Sequence, residues 1–295
     1  MRQPLRKELE PVAASFLVKE LVEPHFDPNW HFHPHYQLFL VKEGTGTRFI
    51  GDSISTFGPG DLVFLGPNLP HLWRSDQPYF DRHSTLSTQG IVVYFPEDFL
   101  GDSFFEKQEM SAIRQLLANA RHGLTWSNQT HNRAVSSLTK LVSQPVSFSR
   151  LMNLLTLLNE LAESDDYQLL ASATYVNSLR PEEADRNIYH RMQVVHDYVL
   201  NHFPEELSLE TVADLAGMTA PAFCRYFKAR ANKTFSEFVS EVRIGHACKL
   251  LMNTPLSITQ VSYESGFRTL SNFNRQFKDI TGLTPSGYVK TYRQL

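Results

Sequence analysis

LETVADLAGMTAPAFCRYFK at residues 209–228 and ITQVSYESGFRTLSNFNRQFK at 258–278 are two copies of one pattern. Leu209 matches Ile258, Val212 matches Val261, and Ala213 matches Ser262. Gly217 stands eight places after Leu209, as Gly266 does after Ile258, and Phe223 and Phe227 return as Phe273 and Phe277. Positions i, i+3 and i+4 share one helix face, so each copy opens with a helix showing Leu or Ile, Val and a small residue to a neighbour. The glycine ends that helix where a sharp turn needs positive φ. A second helix then buries aromatics four apart. It leaves Cys224, Arg225 and Lys228 outside in one copy, and Asn274, Arg275 and Lys278 in the other. A short helix, a glycine turn and a second helix with basic and amide groups outward make a helix-turn-helix unit.

Capping residues set the same boundaries. Ser208 and Ser257 are expected to cap the first helices, with Thr211 rather than Glu at the reciprocal position of the first copy, so as simple caps and not full boxes. Thr219 and Thr269 are expected to cap the second helices, and Pro221 is tolerated in a first turn. Between the copies, Phe235, Phe238, Val239, Val242, Ile244, Ala247, Leu250 and Leu251 predict one helix. At roughly 18 residues it spans about 27 Å, enough to hold two reading helices near one DNA turn, ~34 Å, apart. The four repeated phenylalanines are read as core. For Arg225 and Arg275 a solvated surface is the plain alternative, and their matched positions favour function.

Outward from the repeat, Met192, Val195, Val199 and Leu200 predict an amphipathic helix ending near residues 201–204. From Arg186 onward there are 13 Lys and Arg against 9 Asp and Glu, a balance of +4; ahead of it the balance is −7. Only the back half is charged to meet phosphates. Residues 172–186 lack periodicity, carry Pro181 and read as a linker. Residues 101–171 read as helical, with Ile113, Leu116 and Leu117, then Val135, Leu138, Leu141 and Val142, then Leu151, Leu154, Leu155, Leu158 and Leu161 at helical spacing. The last stripe is either core or a dimer seam. Residues 1–100 hold short β-rich runs at 37–42, 47–50, 61–65 and 91–95, punctuated by Gly58-Pro59-Gly60 and Gly66-Pro67-Asn68, which predicts a sandwich or barrel. No apolar run approaches the ~20 residues of a membrane span. The opening residues lack a signal-peptide core, and two cysteines, Cys224 and Cys248, fit a reducing cytoplasm.

Gly266-Phe267, Ser271 through Lys278, then Gly282-Leu283-Thr284-Pro285 with Tyr288, resemble the signature of the AraC/XylS family of bacterial transcription regulators. The resemblance covers about residues 188–293. It implies a seven-helix domain at 187–295 with two major-groove readers. It places Pro221, Cys224 and Arg225, and Leu270, Ser271, Asn274 and Arg275, toward base edges, where Arg suits guanine and Asn adenine. Lys228, Lys233, Thr269 and Lys278 would face phosphate. The sequence departs from the family at Ser262, usually Ala, and at Val289, where Arg is common. The Ser262 hydroxyl is expected to bond back to the preceding turn.

Trp30-His31-Phe32-His33-Pro34-His35-Tyr36-Gln37, with Pro59-Gly60-Asp61 and Pro67 to His71, resembles a cupin barrel. In metal-binding cupins two histidines two apart, a carboxylate and a later histidine hold the ion. Here His31, His33 and His71 supply imidazoles, while Gln37 sits near the place of the carboxylate. Metal on these histidines is therefore the lesser reading and no cofactor is expected; a third reading makes them purely structural. The favoured reading is an organic-ligand pocket formed or rimmed by Trp30, His31, His33, Tyr36, His71, Trp73 and Arg74. Trp would offer a platform for a sugar ring and Arg a partner for a carboxylate.

The chain thus reads as an all-β cupin-like barrel with flanking helices, followed by an all-α domain of two helix-turn-helix units. The function expected is a ligand-responsive, sequence-specific DNA-binding transcription regulator and not an enzyme. Its partners would be double-stranded DNA, a carbohydrate or small-acid effector, a second copy of the chain and RNA polymerase, with no membrane. A metal-dependent cupin enzyme with a helical appendage is the competing reading, and a barrel kept only for dimerisation is a third.

Overall fold

The computed structural model describes residues 14–101, 103–175 and 186–292. It divides into two compact units, one made chiefly of residues up to Glu182 and one made chiefly of residues from Glu183 onward. The first thirteen residues and residues 176–185, most of the expected linker, lie outside the described residues.

In the N-terminal unit the strands are β1 (Leu17–Glu23), β2 (Tyr36–Glu43), β3 (Gly46–Ile50), β4 (Ser53–Phe57), β5 (Leu62–Leu65), β6 (His71–Ser75) and β7 (Thr88–Phe95), then β8 (Leu124–Trp126) and β9 (Tyr167–Leu169). They form a six-stranded sheet, β1-β7-β2-β5-β8-β9, and a three-stranded sheet, β4-β3-β6. The helices are α1 (Ser111–Asn119), α2 (Asn128–Ser143) and α3 (Phe148–Ala162).

Both faces of the large sheet are apolar, which is why β2 reads as a continuous run. Leu38 and Leu40, with Phe64, Ile91, Val93 and Phe95, pack into one cluster with Leu116, Leu138, Leu154 and Leu158 of the helices. Phe39, Val41, Val63, Leu65, Val92 and Tyr94 point the other way and pack with Trp73 of β6 and Phe57 of β4. Alternation along each strand sends neighbours to opposite faces. The leucine stripe of α3 is core: Leu154 and Leu158 are fully buried and Leu161 nearly so, each contributing about 1.5–3 kcal/mol of burial.

Two features depart from the sequence reading. Residues 101–171 are not all helical, since β8 and β9 extend the large sheet. Each is three residues long, too short for a period-2 signal to show, and β8 starts right after Gly123 at φ 66°. Ser172, expected at the start of the linker, is instead held by the barrel. Its N–H donates to Asp52 Oδ1 at 2.8 Å and its hydroxyl to Oδ2 at 2.5 Å, while Tyr175 is buried against the inner core.

The C-terminal unit holds, among its described residues, seven helices: α4 (Arg186–His202), α5 (Leu209–Leu215), α6 (Ala220–Ala231), α7 (Phe235–Asn253), α8 (Ile258–Glu264), α9 (Leu270–Thr281) and α10 (Pro285–Tyr292). The long α7 serves both halves. Its start gives Phe235 and Phe238 to a ring cluster with Phe223 and Phe227, at centroid distances of 5.2–5.6 Å. Its end gives Ile244, Ala247 and Leu251 to a cluster with Val261, Phe267, Phe273 and Phe277. Val289 of α10 packs against that second cluster too.

Gly217 and Gly266 adopt φ of 66° and 82°, as the turn requires. Ser208 Oγ accepts from the Thr211 N–H without a reciprocal bond, as expected. Ser257 does more than expected, because Gln260 returns a bond to its N–H at 2.9 Å and completes a capping box. Ser262 corrects another expectation. Its hydroxyl is fully buried and finds no hydrogen-bond partner among the described residues.

Candidate functional site

The second helix of each repeat, α6 or α9, is held by its two phenylalanines, all four of them fully buried. The face opposite is therefore forced outward. On α6 it carries Pro221, Cys224, Arg225 and Lys228, all exposed. On α9 it carries Ser271, Asn274, Arg275 and Lys278, also exposed. Leu270 differs from the expectation: it is half-buried and leans on the second core, so it offers little to a base edge.

Arg275 is not loose on this face. Its Nη2 donates to Asn272 Oδ1 at 3.0 Å, and the same oxygen accepts from Gln276 Nε2 at 3.1 Å. Sequence reasoning missed Asn272 because it is neither on the outward face nor in the core. Lys233 also departs from its expected place on phosphate. It is half-buried and its ammonium lies 2.6 Å from the carboxylate of Glu241. Thr269 caps α9, its hydroxyl oxygen accepting from the Asn272 N–H. Thr219 stands at the matching position without a side-chain cap bond.

In the N-terminal unit the structure brings His31, His33 and His71 together. A two-way backbone bridge joins His31 to His71, with N–H···O distances of 3.1 and 2.9 Å. His33 is brought in by its own carbonyl, which accepts from the Asn68 N–H at 2.8 Å. The ring centroids are 4.4 Å apart for His31 and His71, 5.1 Å for His33 and His71, and 6.2 Å for His31 and His33. One ring nitrogen from each lies within 4.8 Å of the other two, and all three side chains are buried.

The surroundings fix these rings. Nδ1–H of His31 donates to Asn29 O at 2.7 Å, that of His33 to His35 O at 3.0 Å, and that of His71 to Leu69 O at 2.7 Å. Burial, with His31 and His35 adding to it, pulls the His33 imidazole down to about 3, against the opposing bond to Gln37. Gln37 reaches to 2.8 Å from His33 Nε2, and Tyr94 stands edge-on to His33 at 5.2 Å.

Not every residue expected in the pocket is there. Trp30 and Trp73 are buried, Trp73 in the inner core beside His71 at 5.6 Å. Tyr36 faces the other way, packed beside Phe64 and Phe95 in the cluster shared with the helices. Arg74 alternates away from Trp73 and lies over Phe80. The arginine on the inner side is Arg48, paired across the ladder with Trp73 and bonded to both oxygens of Asp61 at 2.6 Å. Register alone decides which arginine faces in, and register is not legible in one strand's sequence.

A model of the AraC-like ligand binding domain matches residues 20–174, more than half of the chain, and a helix-turn-helix domain model matches residues 212–291. The chain belongs to the AraC family. Relatives of this AraC-family chain include the uncharacterized HTH-type transcriptional regulator YdeC of Bacillus subtilis (strain 168), 24% identical over 262 residues, 88% of this chain and 85% of that protein. The HTH-type transcriptional activator RhaS of Enterobacter sp. (strain 638) is 23% identical over 250 residues, 84% of this chain and 82% of its own. Among solved structures, the DNA-binding domain of AdpA in complex with a target DNA is 27% identical, covering 34% of this chain and 90% of that one at a TM-score of 0.33. The chain is a transcription regulator with an N-terminal ligand-binding domain and a C-terminal DNA-binding domain. The reading as a cupin enzyme is not favoured. Among the described residues no helix is long and apolar enough to cross a membrane.

Proposed function

We propose that the chain reads an asymmetric DNA site with α6 in one major groove and α9 in the next, and that a small effector held by the N-terminal barrel sets its affinity for that site. The observation that carries the first part is the pair of unlike exposed faces. Pro221, Cys224 and Arg225 stand on one, and Ser271, Asn274 and Arg275 on the other. Arg225 and Arg275 would each take a guanine, and Asn274 an adenine. Lys228 and Lys278 would meet phosphate, and their contribution would fall with salt. The effector, a carbohydrate or a small organic acid in the reading from sequence, must bind two states of the protein unequally to act.

The working unit is a homodimer in the cytoplasm, bound beside a promoter where RNA polymerase is the further partner, and it catalyses no reaction. Exposed apolar side chains at the start of α3 and just before it support the dimer: Val146 and Phe148 are both 74% exposed and Met152 is 44%. Selection of binding sites from random duplexes by the full chain tests the DNA reading. Two unlike elements about 10–10.5 base pairs apart are expected within each repeat of the site. A single element, or two identical ones, contradicts it.

A further inference from the structure

We propose that His31, His33 and His71 form a binding site for one divalent transition-metal ion, and that this ion is the ligand through which the N-terminal domain acts. The second half deepens the reading of that domain as a sensor and rests on it; the first half does not.

Each imidazole is tied through Nδ1 to a backbone carbonyl. A backbone carbonyl can only accept, so Asn29, His35 and Leu69 each take an N–H from Nδ1 of a different histidine. A neutral ring carries one N–H. In the neutral rings of His31 and His71 the lone pair therefore sits on Nε2, the form that binds a metal, whereas His33 Nε2 faces Gln37 Oε1 at 2.8 Å. A donated Nδ1–H is the usual outer-shell support of a ligating histidine, fixing both tautomer and ring orientation. Three rings anchored through Nδ1 in the same way, from two separate segments, meet in one place.

The place itself is buried and held by backbone bonds. His33 and His71 are each 1% exposed and His31 is 6% exposed. The bridge between His31 and His71 locks two ligands across the strands. Nitrogens on a tetrahedral ion at 2.0–2.1 Å stand ~3.3 Å apart, and one ring nitrogen from each histidine lies within 4.8 Å of the other two, so a small inward shift of the three side chains closes the set. Three buried imidazoles side by side would be a poor way to fill a core, because each brings a polar nitrogen that burial penalises.

Gln37 shapes the metal class. His33 Nδ1 faces His35 O and its Nε2 faces Gln37 Oε1 at 2.8 Å, so the Gln37 amide must swing away or flip before Nε2 takes an ion. Among the described residues no carboxylate joins the three histidines in the cluster. A neutral all-imidazole set suits zinc, nickel or copper rather than magnesium, calcium or manganese. It also leaves a fourth position for water or an anion, which is where a small acid would add.

The test uses the full chain, stripped with chelator and titrated with Zn²⁺ and Ni²⁺ by calorimetry, with metal content measured after desalting. One equivalent per chain is expected, lost in His31→Ala and His71→Ala. No saturable binding, or one equivalent retained in both variants, overturns the site. Should either variant fail to fold, X-ray absorption of the nickel-loaded native chain replaces it. Three imidazole ligands are expected there, and fewer than two overturn the proposal. Promoter affinity with and without Zn²⁺ or Ni²⁺ then tests the second half, with at least a five-fold change expected. An ion bound at the three histidines without effect on DNA overturns the ion as the acting ligand. Footprinting of the metal-free chain separates that outcome from failure of the regulator reading, since a specific footprint survives only in the first case.

Discussion

Gly266 lies directly against the backbone of Phe203: a Cβ added there would stand 2.7 Å from the Phe203 carbonyl oxygen, whereas at the matched Gly217 it would meet nothing within 4 Å. The two glycines occupy the same place in the repeat and have positive φ alike, yet only one is closed in by its neighbours. Gly217→Ala should cost about 1–2 kcal/mol, the strain of left-handed backbone alone. Gly266→Ala adds a backbone clash and should cost at least ~3 kcal/mol. Thermal denaturation of the two variants checks this, and equal losses would contradict it.

Ser262 holds the small-residue position of the second unit with a buried, unbonded hydroxyl. Removing that oxygen loses no bond and relieves desolvation. Ser262→Ala is expected to raise stability by about 1 kcal/mol, while the same change at the capping Ser257 should lower it by a similar amount. Denaturation midpoints of the two variants should move in opposite directions.

The lysines divide by their partners. Lys278 is exposed on the reading face, and Lys233 is tied to Glu241 at 2.6 Å. Lys278→Ala should weaken binding to all sequences alike and reduce the salt slope of log K by about 1. Lys233→Ala should leave that slope unchanged. Affinities measured across a salt series decide it.

His196 gives the C-terminal unit an acid limit. It is stacked on Phe238 at 4.9 Å, and burial pulls its imidazole from 6.5 to about 3. Between those two values the unfolded chain holds the proton and the folded one does not. Its contribution to stability is thus complete above pH ~6.5 and is lost as pH falls toward ~3, at up to about 1.4 kcal/mol per pH unit. His196→Phe should flatten the fall in melting temperature over that range relative to the native chain.

Much of the C-terminal unit was legible because its signal is local and repeated. Glycine, phenylalanine and cap positions recur in both copies, and each sits where helix geometry requires it. The barrel was legible only as a class. Which of Arg48 and Arg74 faces inward, and that Tyr36 turns to the helix-covered face, depend on strand register and on what covers each face, and neither is written in one strand. β8 and β9 were hidden because three residues carry no period. The histidines were visible as residues, but their shared bonding through Nδ1 to Asn29, His35 and Leu69 exists only once the chain is folded.

If two unlike helices read two adjacent grooves, hydroxyl-radical footprinting with base-substituted operators separates their contributions. Arg225→Ala should relax discrimination in one element only, and Arg275→Ala in the other only, each by about 1–3 kcal/mol. Asn272→Ala should weaken the second element by less, because it only steadies Arg275. Unchanged discrimination in both arginine variants, or loss in the same element for both, would contradict the account.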